Sequence, residues 1–243
     1  MALTCSPSRK AQKTLVLVDN MVFRETHSLF FDILRGIFSL AFVAHNHELD
    51  FQLFSESAEI YKYGNYMYDN LVFFVPTTAK SATKQSQLNV KEILNFFDAP
   101  NKNVMVVTDS GVYPFTRKLA NEFGVDFDPQ GSRVTDGSSY EVTTKEVLKE
   151  SKHIFSGAEE VTYAGIGLQL DPKNRFVFPL LKAPSHTFSL SERGAVVSEN
   201  PTLVAGYQVI SRYPLLLGAE QQPCHIRRLG HHVLQRPVRQ DRP

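Results

Sequence analysis

The first clear pattern along the chain is the apolar run Thr14–Val18 (TLVLV), closed by Asp19-Asn20. A run that is apolar at every position predicts a strand covered on both faces, as in a parallel sheet. Over residues 25–35 (ETHSLFFDILR), Leu29, Phe30, Ile33 and Leu34 fall at i, i+1, i+4 and i+5. That spacing predicts a helix with those four on its buried face, and Gly36 is its stop signal. Ser39–Ala44 predicts a second strand, and Asn70–Val75 (NLVFFV) before Pro76 a third. Thr77–Gln87 is a polar loop. Val90–Phe97 predicts a helix with Val90, Ile93, Leu94 and Phe97 on one side. Asn103–Val107 is a fourth strand, running into Thr108-Asp109-Ser110-Gly111. Pro114–Phe123 is the next helix, capped by Gly124, and Val125–Phe127 is a short strand.

Strand and helix in alternation predict an α/β fold: a mostly parallel sheet with helices on both faces. The absence of a Gly-rich turn after the first strand argues against a dinucleotide-binding version, which leaves a flavodoxin-like domain over 14–150. Leu15, Val16, Leu17, Val72, Phe73, Val104, Val106 and Val107 are its expected core. From about Lys152 the texture changes. The short β-prone runs Val161–Leu170, Phe176–Leu181 and Leu203–Tyr207 predict a β-rich continuation over 151–208. Residues 1–13 are expected to be disordered. So is the tail 209–243, whose four prolines (214, 223, 237, 243) interrupt any helix or central strand.

Composition adds little to this. With 42% hydrophobic and 21% charged residues, the 243-residue chain has material for an ordinary core. Net charge is +1, but 212–243 carries +4 and the remainder −3. No concentrated basic face points to nucleic acid. The longest apolar stretches, Leu15–Val18 and Leu71–Val75, are strand-length, far short of the about 20 residues of a membrane span. Two cysteines, Cys5 and Cys224, say nothing firm about redox compartment.

Candidate chemistry is sparse. Asp19 and Asp109 both close strands at the carboxyl edge, where α/β folds place their sites. They read either as an acid–base or metal-holding pair or as residues that end strands and start turns. His27, beside Arg24 and Glu25, is either a general base or a helix-start hydrogen-bonding residue. No Gly-x-Ser-x-Gly elbow and no phosphate-cradling Gly/Lys loop is present. Gly165-Ile166-Gly167 lacks the third glycine of a dinucleotide fingerprint and fits a turn or close packing. Cys224, His225, His231 and His232 match no zinc spacing, and Arg227 and Arg228 among them oppose a cation. Tyr61, Tyr63, Tyr66 and Tyr68 suggest either a carbohydrate or partner surface, or one face of a strand. Pro201 blocks glycosylation of Asn200-Pro201-Thr202. No catalytic residue, cofactor or metal site is expected.

Several stretches resemble the DDOST family, the non-catalytic subunit of dolichyl-diphosphooligosaccharide–protein glycosyltransferase. They are Arg24–Phe31 (RETHSLFF), Lys62–Phe74 (KYGNYMYDNLVFF), Phe123–Asp128 (FGVDFD), Gly165–Leu181 and Asn200–Gln208, in the family's order. The resemblance implies a lumenal domain in the endoplasmic reticulum membrane, held there by a C-terminal anchor and partnered by the catalytic and other oligosaccharyltransferase subunits. It also implies a signal peptide and an anchor that this stretch lacks. Ala99-Pro100-Asn101-Lys102 stands where a Gly-rich turn is expected, and Ala44–Ile60 matches poorly. The match ends abruptly after Gln208, as a frameshift or missed splice site would produce, so 209–243 is expected to be non-family sequence. The competing readings are a flavodoxin-like or amidotransferase-like enzyme with a site near Asp19 and Asp109, and a soluble scaffold of the same fold.

Overall fold

The computed structural model describes residues 12–36, 48–56, 58–75, 88–144 and 161–208. The expected strand Ser39–Ala44, the loop Thr77–Gln87, both cysteines and the tail 209–243 lie outside the described residues.

The first half runs β1 (Lys13–Val18), α1 (Phe23–Thr26), α2 (Ser28–Gly36), β2 (Glu48–Leu53), β3 (Tyr61–Lys62), β4 (Asn65–Tyr66), β5 (Asn70–Val75), α3 (Val90–Asp98), β6 (Asn103–Thr108) and α4 (Pro114–Glu122). Strands β2-β1-β5-β6 pair in that order, every pair parallel. The chain steps outward from β1 to β2, then returns past β1 to β5 and β6. The predicted strands at 14–18, 70–75 and 103–107 are therefore present. The sheet's other member, β2, lies in the poorly matching stretch. Its sequence, ELDFQL, mixes charged and apolar positions as an edge strand does.

The pattern of burial follows from the order of strands. Every residue of β5 is buried, because it has a neighbour on each side and cover on each face. One apolar cluster joins Leu15, Leu17, Leu71 and Phe73 to Ile93 and Phe96 of α3 and Leu119 of α4. The other joins Val16, Val18, Val72 and Phe74 to Phe31 of α2, with Phe23, Phe30 and Leu34 packed against it. Val106 and Val107, expected in the core, are only half-buried because β6 is an edge.

Two corrections concern helices. In α2 the inward residues are Phe30, Phe31 and Leu34, whereas Leu29 and Ile33 are 73% and 49% exposed. The predicted four-residue apolar stripe is centred one position too far toward solvent. At the α3–β6 turn no glycine is needed, because Asn101 adopts the left-handed conformation (φ 58°), which asparagine tolerates. Lys102 then reaches Asp69 at 2.9 Å and donates to the Tyr68 carbonyl at 2.6 Å. Helix α3 begins in a capping box. The Asn89 side chain accepts from Lys91 N, and Glu92 accepts from Asn89 N. Helix α4 starts with Pro114 at its first turn and stops at Gly124, whose φ of +78° is the left-handed end predicted for it.

The second half contains β7 (Val125–Phe127), β8 (Arg133–Thr135), β9 (Val142–Thr143), β10 (Thr162–Tyr163), β11 (Leu168–Leu170), β12 (Val177–Lys182), β13 (Phe188–Leu190), β14 (Val196–Glu199) and β15 (Thr202–Tyr207). They form antiparallel sheets ordered β12-β15-β11-β7, β14-β13-β8 and β10-β9. Val125–Phe127 is thus a strand, as expected, but it belongs to this antiparallel layer and not to the parallel sheet. Helix α4 joins the two layers. Leu119 faces the parallel sheet, while Ala120 packs with Val112, Phe127 and Ile166. A second joint is aromatic: Tyr207 of β15 lies 5.7 Å from Phe97 and 4.9 Å from Phe123.

Truncating Phe74 removes a ring buried against four others. Phe74→Ala is expected to lower unfolding free energy by about 3–5 kcal/mol, whereas Lys118→Ala on the exposed side of α4 stays within about 0.5 kcal/mol. Urea denaturation of both variants checks the contrast.

Candidate functional site

At the carboxyl edge of the parallel sheet, Asp19 follows β1 and Asp109 follows β6. The register sets Val18 beside Phe74 and Phe74 beside Val107. The backbones that carry the two residues are therefore separated by the whole of β5, two strand spacings or roughly 10 Å. Asp109 accepts the Ser110 backbone N–H at 2.7 Å, a local turn contact. Next to Asp19, Asn20 Oδ1 accepts the Val22 N–H at 3.0 Å and starts α1. The strand order places β5 between the two strands that Asp19 and Asp109 follow. Residues 76–87, next in the sequence after β5, lie outside the described residues.

His27 ends α1, and its ring packs edge-on to Phe23 (5.4 Å) and Phe74 (5.1 Å). Its Nδ1 lies 2.9 Å from Thr26 Oγ1. Arg24 stacks over Phe51 at 5.3 Å. With Phe30 and Phe31 at 5.3 and 5.2 Å from Phe74, the Arg24–Phe31 stretch is a set of side chains that fastens helices to sheet. Phe74 closes the Lys62–Phe74 stretch, so the two most specific segments meet at one ring.

The tyrosine series divides. Tyr63 and Gly64 form the two-residue turn of the β3–β4 hairpin with φ of 50° and 81°. Tyr63 is 90% exposed and Tyr61 is also exposed. Tyr66 packs on Phe96 at 5.2 Å. Tyr68 is buried and donates to Asp50 at 2.6 Å. Burial first, and then that hydrogen bond, push the Tyr68 phenol pKa well up from 10.0. Spaced by two, three and two residues, the four tyrosines do not lie on one strand face; a turn falls in their middle.

The chemistry that sequence reading missed is a buried carboxylate. Asp128 ends the Phe123–Asp128 stretch just after β7 and is 1% exposed. Its Oδ1 accepts from Gln169 Nε2 at 2.9 Å and its Oδ2 from Ser198 Oγ at 2.8 Å. Arg117 of α4 donates to the Asp128 carbonyl at 2.9 Å and to the Phe127 carbonyl. Gly167 leaves the room: a Cβ there would run into Asp128 Oδ2, Ser189 Oγ and Pro201. The Gly165–Gly167 pair is thus given to close packing and not to a nucleotide. Tyr163 donates to the Ile166 carbonyl at 2.6 Å. Burial first, then Asp109 and Asp128, drive its phenol pKa well up from 10.0. The legible signal is the family resemblance itself, since Asp128, Gly167, Gln169 and Pro201 all fall inside the segments that carry it. Among the described residues no group of three or more His, Cys, Asp or Glu gathers in a metal-holding cluster. None of their helices is long and apolar enough to cross a membrane.

What fold and site define is an α/β domain joined to an antiparallel layer, with its distinctive segments committed to packing and to one buried polar hub. The chain belongs to the family described as OST48, N-terminal domain, whose model matches residues 5–212. Among its relatives, the dolichyl-diphosphooligosaccharide–protein glycosyltransferase 48 kDa subunit of Danio rerio is 29% identical over 216 residues, 81% of this chain and 46% of that protein. The subunit of the same name from Drosophila melanogaster is 28% identical over 225 residues, 86% of this chain and 46% of that one. That from Arabidopsis thaliana is 27% identical over 196 residues, covering 73% and 41%. The chain spans about half the length of the curated relatives it matches.

Two outcomes follow. Gly167→Ala overpacks the hub and is expected to lower stability by about 1–3 kcal/mol, read as a fall in the urea midpoint. A phenol whose pKa is raised on folding stabilises the fold fully below its unfolded value. That contribution is lost as pH climbs past the unfolded value toward the folded one. Tyr68 and Tyr163 should therefore remain protonated after the exposed tyrosines have ionised, and their release should coincide with base unfolding above pH ~10. Phenolate absorbance measured alongside circular dichroism tests this.

Proposed function

We propose that this chain is the lumenal, accessory part of an oligosaccharyltransferase in the endoplasmic reticulum membrane. The complex transfers a preassembled oligosaccharide from dolichyl diphosphate to asparagine in Asn-x-Ser/Thr. The active site lies in another subunit, and this domain holds its place beside the catalytic subunit and the other members. The observation that carries the reading is family membership across 5–212. Its support from geometry is that the residues carrying the resemblance pack Phe74 and surround Asp128, and do not converge on a reactive group. The parallel order β2-β1-β5-β6 supports a flavodoxin-like arrangement of the first half, with helices on both faces. Membrane attachment is through a C-terminal anchor outside this stretch.

The competing reading places an enzyme site at Asp19 and Asp109. Loss of a general acid or base slows a reaction by about 10²–10⁴-fold. Asp19→Asn with Asp109→Asn, assayed in the assembled complex on an Asn-x-Thr peptide, is expected to show no loss on that scale. Co-purification of the unaltered protein with the catalytic subunit is the second arm. Failure to co-purify, or a stoichiometric flavin in the purified chain, would overturn the accessory reading.

A further inference from the structure

The loop between β8 and β9 holds the sequence's one Asp-Gly pair, Asp136-Gly137. Gly137 has a φ of +92°, a conformation that residues with a Cβ rarely adopt, so the turn calls for glycine there. Asp136 supplies the side-chain acceptor that such a turn uses. Its Oδ1 accepts the Ser138 N–H, the Ser139 N–H and the Ser138 hydroxyl, each at 2.8 Å. The turn therefore selects the residue pair that most readily closes to a succinimide. In that reaction the Gly137 nitrogen bonds to the side-chain carboxyl carbon of Asp136, and one water leaves. Water then adds back at either carbonyl of the ring. Addition at one returns aspartate. Addition at the other leaves the chain running through the side chain, as isoaspartate. Nothing is oxidised or reduced, and the final mass is unchanged.

Both reacting groups are engaged in the fold. The Gly137 N–H donates to Thr135 Oγ1 at 3.0 Å. Thr135 is buried, and its hydroxyl donates in turn to the Ser139 carbonyl at 2.5 Å. Swinging the Gly137 nitrogen onto the carboxyl carbon breaks its bond to Thr135 and disturbs all three at Oδ1. The Ser139 N–H first, then the Ser138 hydroxyl and N–H, hold the Asp136 carboxyl pKa down to about 2 from 3.8. Hydrogen bonds to the charged form keep it charged, and a carboxylate is a poorer target for the nitrogen than the neutral acid. We propose that Asp136 is a site of isoaspartate formation that the folded loop keeps closed, so that the modification proceeds only when the segment between β8 and β9 opens locally. The proposal stands on the geometry of this loop and is independent of the accessory-subunit reading.

The test incubates the full chain at neutral pH and body temperature and follows isoaspartate over weeks. Trypsin, cutting after Arg133 and Lys145, releases residues 134–145 as one peptide, in which the two forms separate by chromatography. The same peptide free in solution is the open reference. It is expected to gain isoaspartate at least about tenfold faster than the folded chain, since each pKa unit changes the neutral fraction tenfold. Thr135→Val removes the acceptor of the Gly137 N–H and should raise the rate in the folded chain about threefold or more. Thr135→Ser keeps the hydroxyl and should hold the original rate. Ser138→Ala removes one donor to Oδ1 at an exposed position and should also raise the rate, with circular dichroism unchanged. Isoaspartate appearing in the folded chain at the rate of the free peptide would overturn the proposal. So would a free peptide that does not react, or unchanged rates in both Thr135→Val and Ser138→Ala.

Discussion

The molecule depends on a strand that has no exposed side. All six residues of β5, Asn70–Val75, are buried. A strand in that condition requires a hydrogen-bonded neighbour at each edge and an apolar layer over each face. The rest of the first half supplies these. Strands β1 and β6 pair with it in parallel, α2 covers Phe74, and α3 and α4 cover Phe73. Register is fixed at the amino end by a polar ladder. Asn103 donates to Asn70 at 2.8 Å, and Asn70 donates to Thr14 at 3.0 Å. Slipping any of these strands by one residue would bury the ladder without partners and turn Phe73 and Phe74 to the wrong layers.

The antiparallel half is tied to this sheet by α4, which is apolar on two sides. Leu119 packs toward the parallel sheet and Ala120 toward β7 and β11. Arg117 of the same helix donates to the Phe127 and Asp128 carbonyls, which lie just before the buried hub. The Asp128 carboxylate has no cationic partner among the described hydrogen bonds; Gln169 and Ser198 satisfy it. Neutral donors from strands distant in sequence thus meet at one acid. The hub therefore forms only once β7, β11 and β14 are all in place.

How far the sequence could be read follows from how local each signal is. Leu15–Val18, Leu71–Val75 and Val104–Val107 are apolar throughout, and that pattern predicts burial on both faces, which β1 and β5 show and the edge strand β6 shows only in part. Gly124 ended its helix for a reason intrinsic to glycine. By contrast, β2 is an edge strand with charged positions, so it has no such run to display. Val125–Phe127 reads as a strand, but nothing in three residues says which sheet takes it. Asp128 gives no local warning of burial, since its donors lie 41 and 70 residues away. The prominent polar residues at strand ends, Asp19 and Asp109, were legible as turn residues. Their separation depends on β5 lying between their strands, which is a fact of topology.

Helix α2 marks the limit of what apolar spacing can reveal. Leu29 and Ile33 satisfy the spacing of a buried face, and hydrophobicity alone cannot separate a core residue from one kept for a partner. Phe31 falls outside the predicted stripe although it is among the most buried side chains, because apolar residues occupy more than half of the helix's circumference. A surface helix that only covers a sheet needs one stripe. One that must also meet another protein needs a second, and the sequence of such a helix looks simply more apolar. Packing within a domain and contact outside it both call for apolar residues on a helix. Both leave the same mark in a sequence, and they are told apart only by which side of the helix the sheet has already claimed.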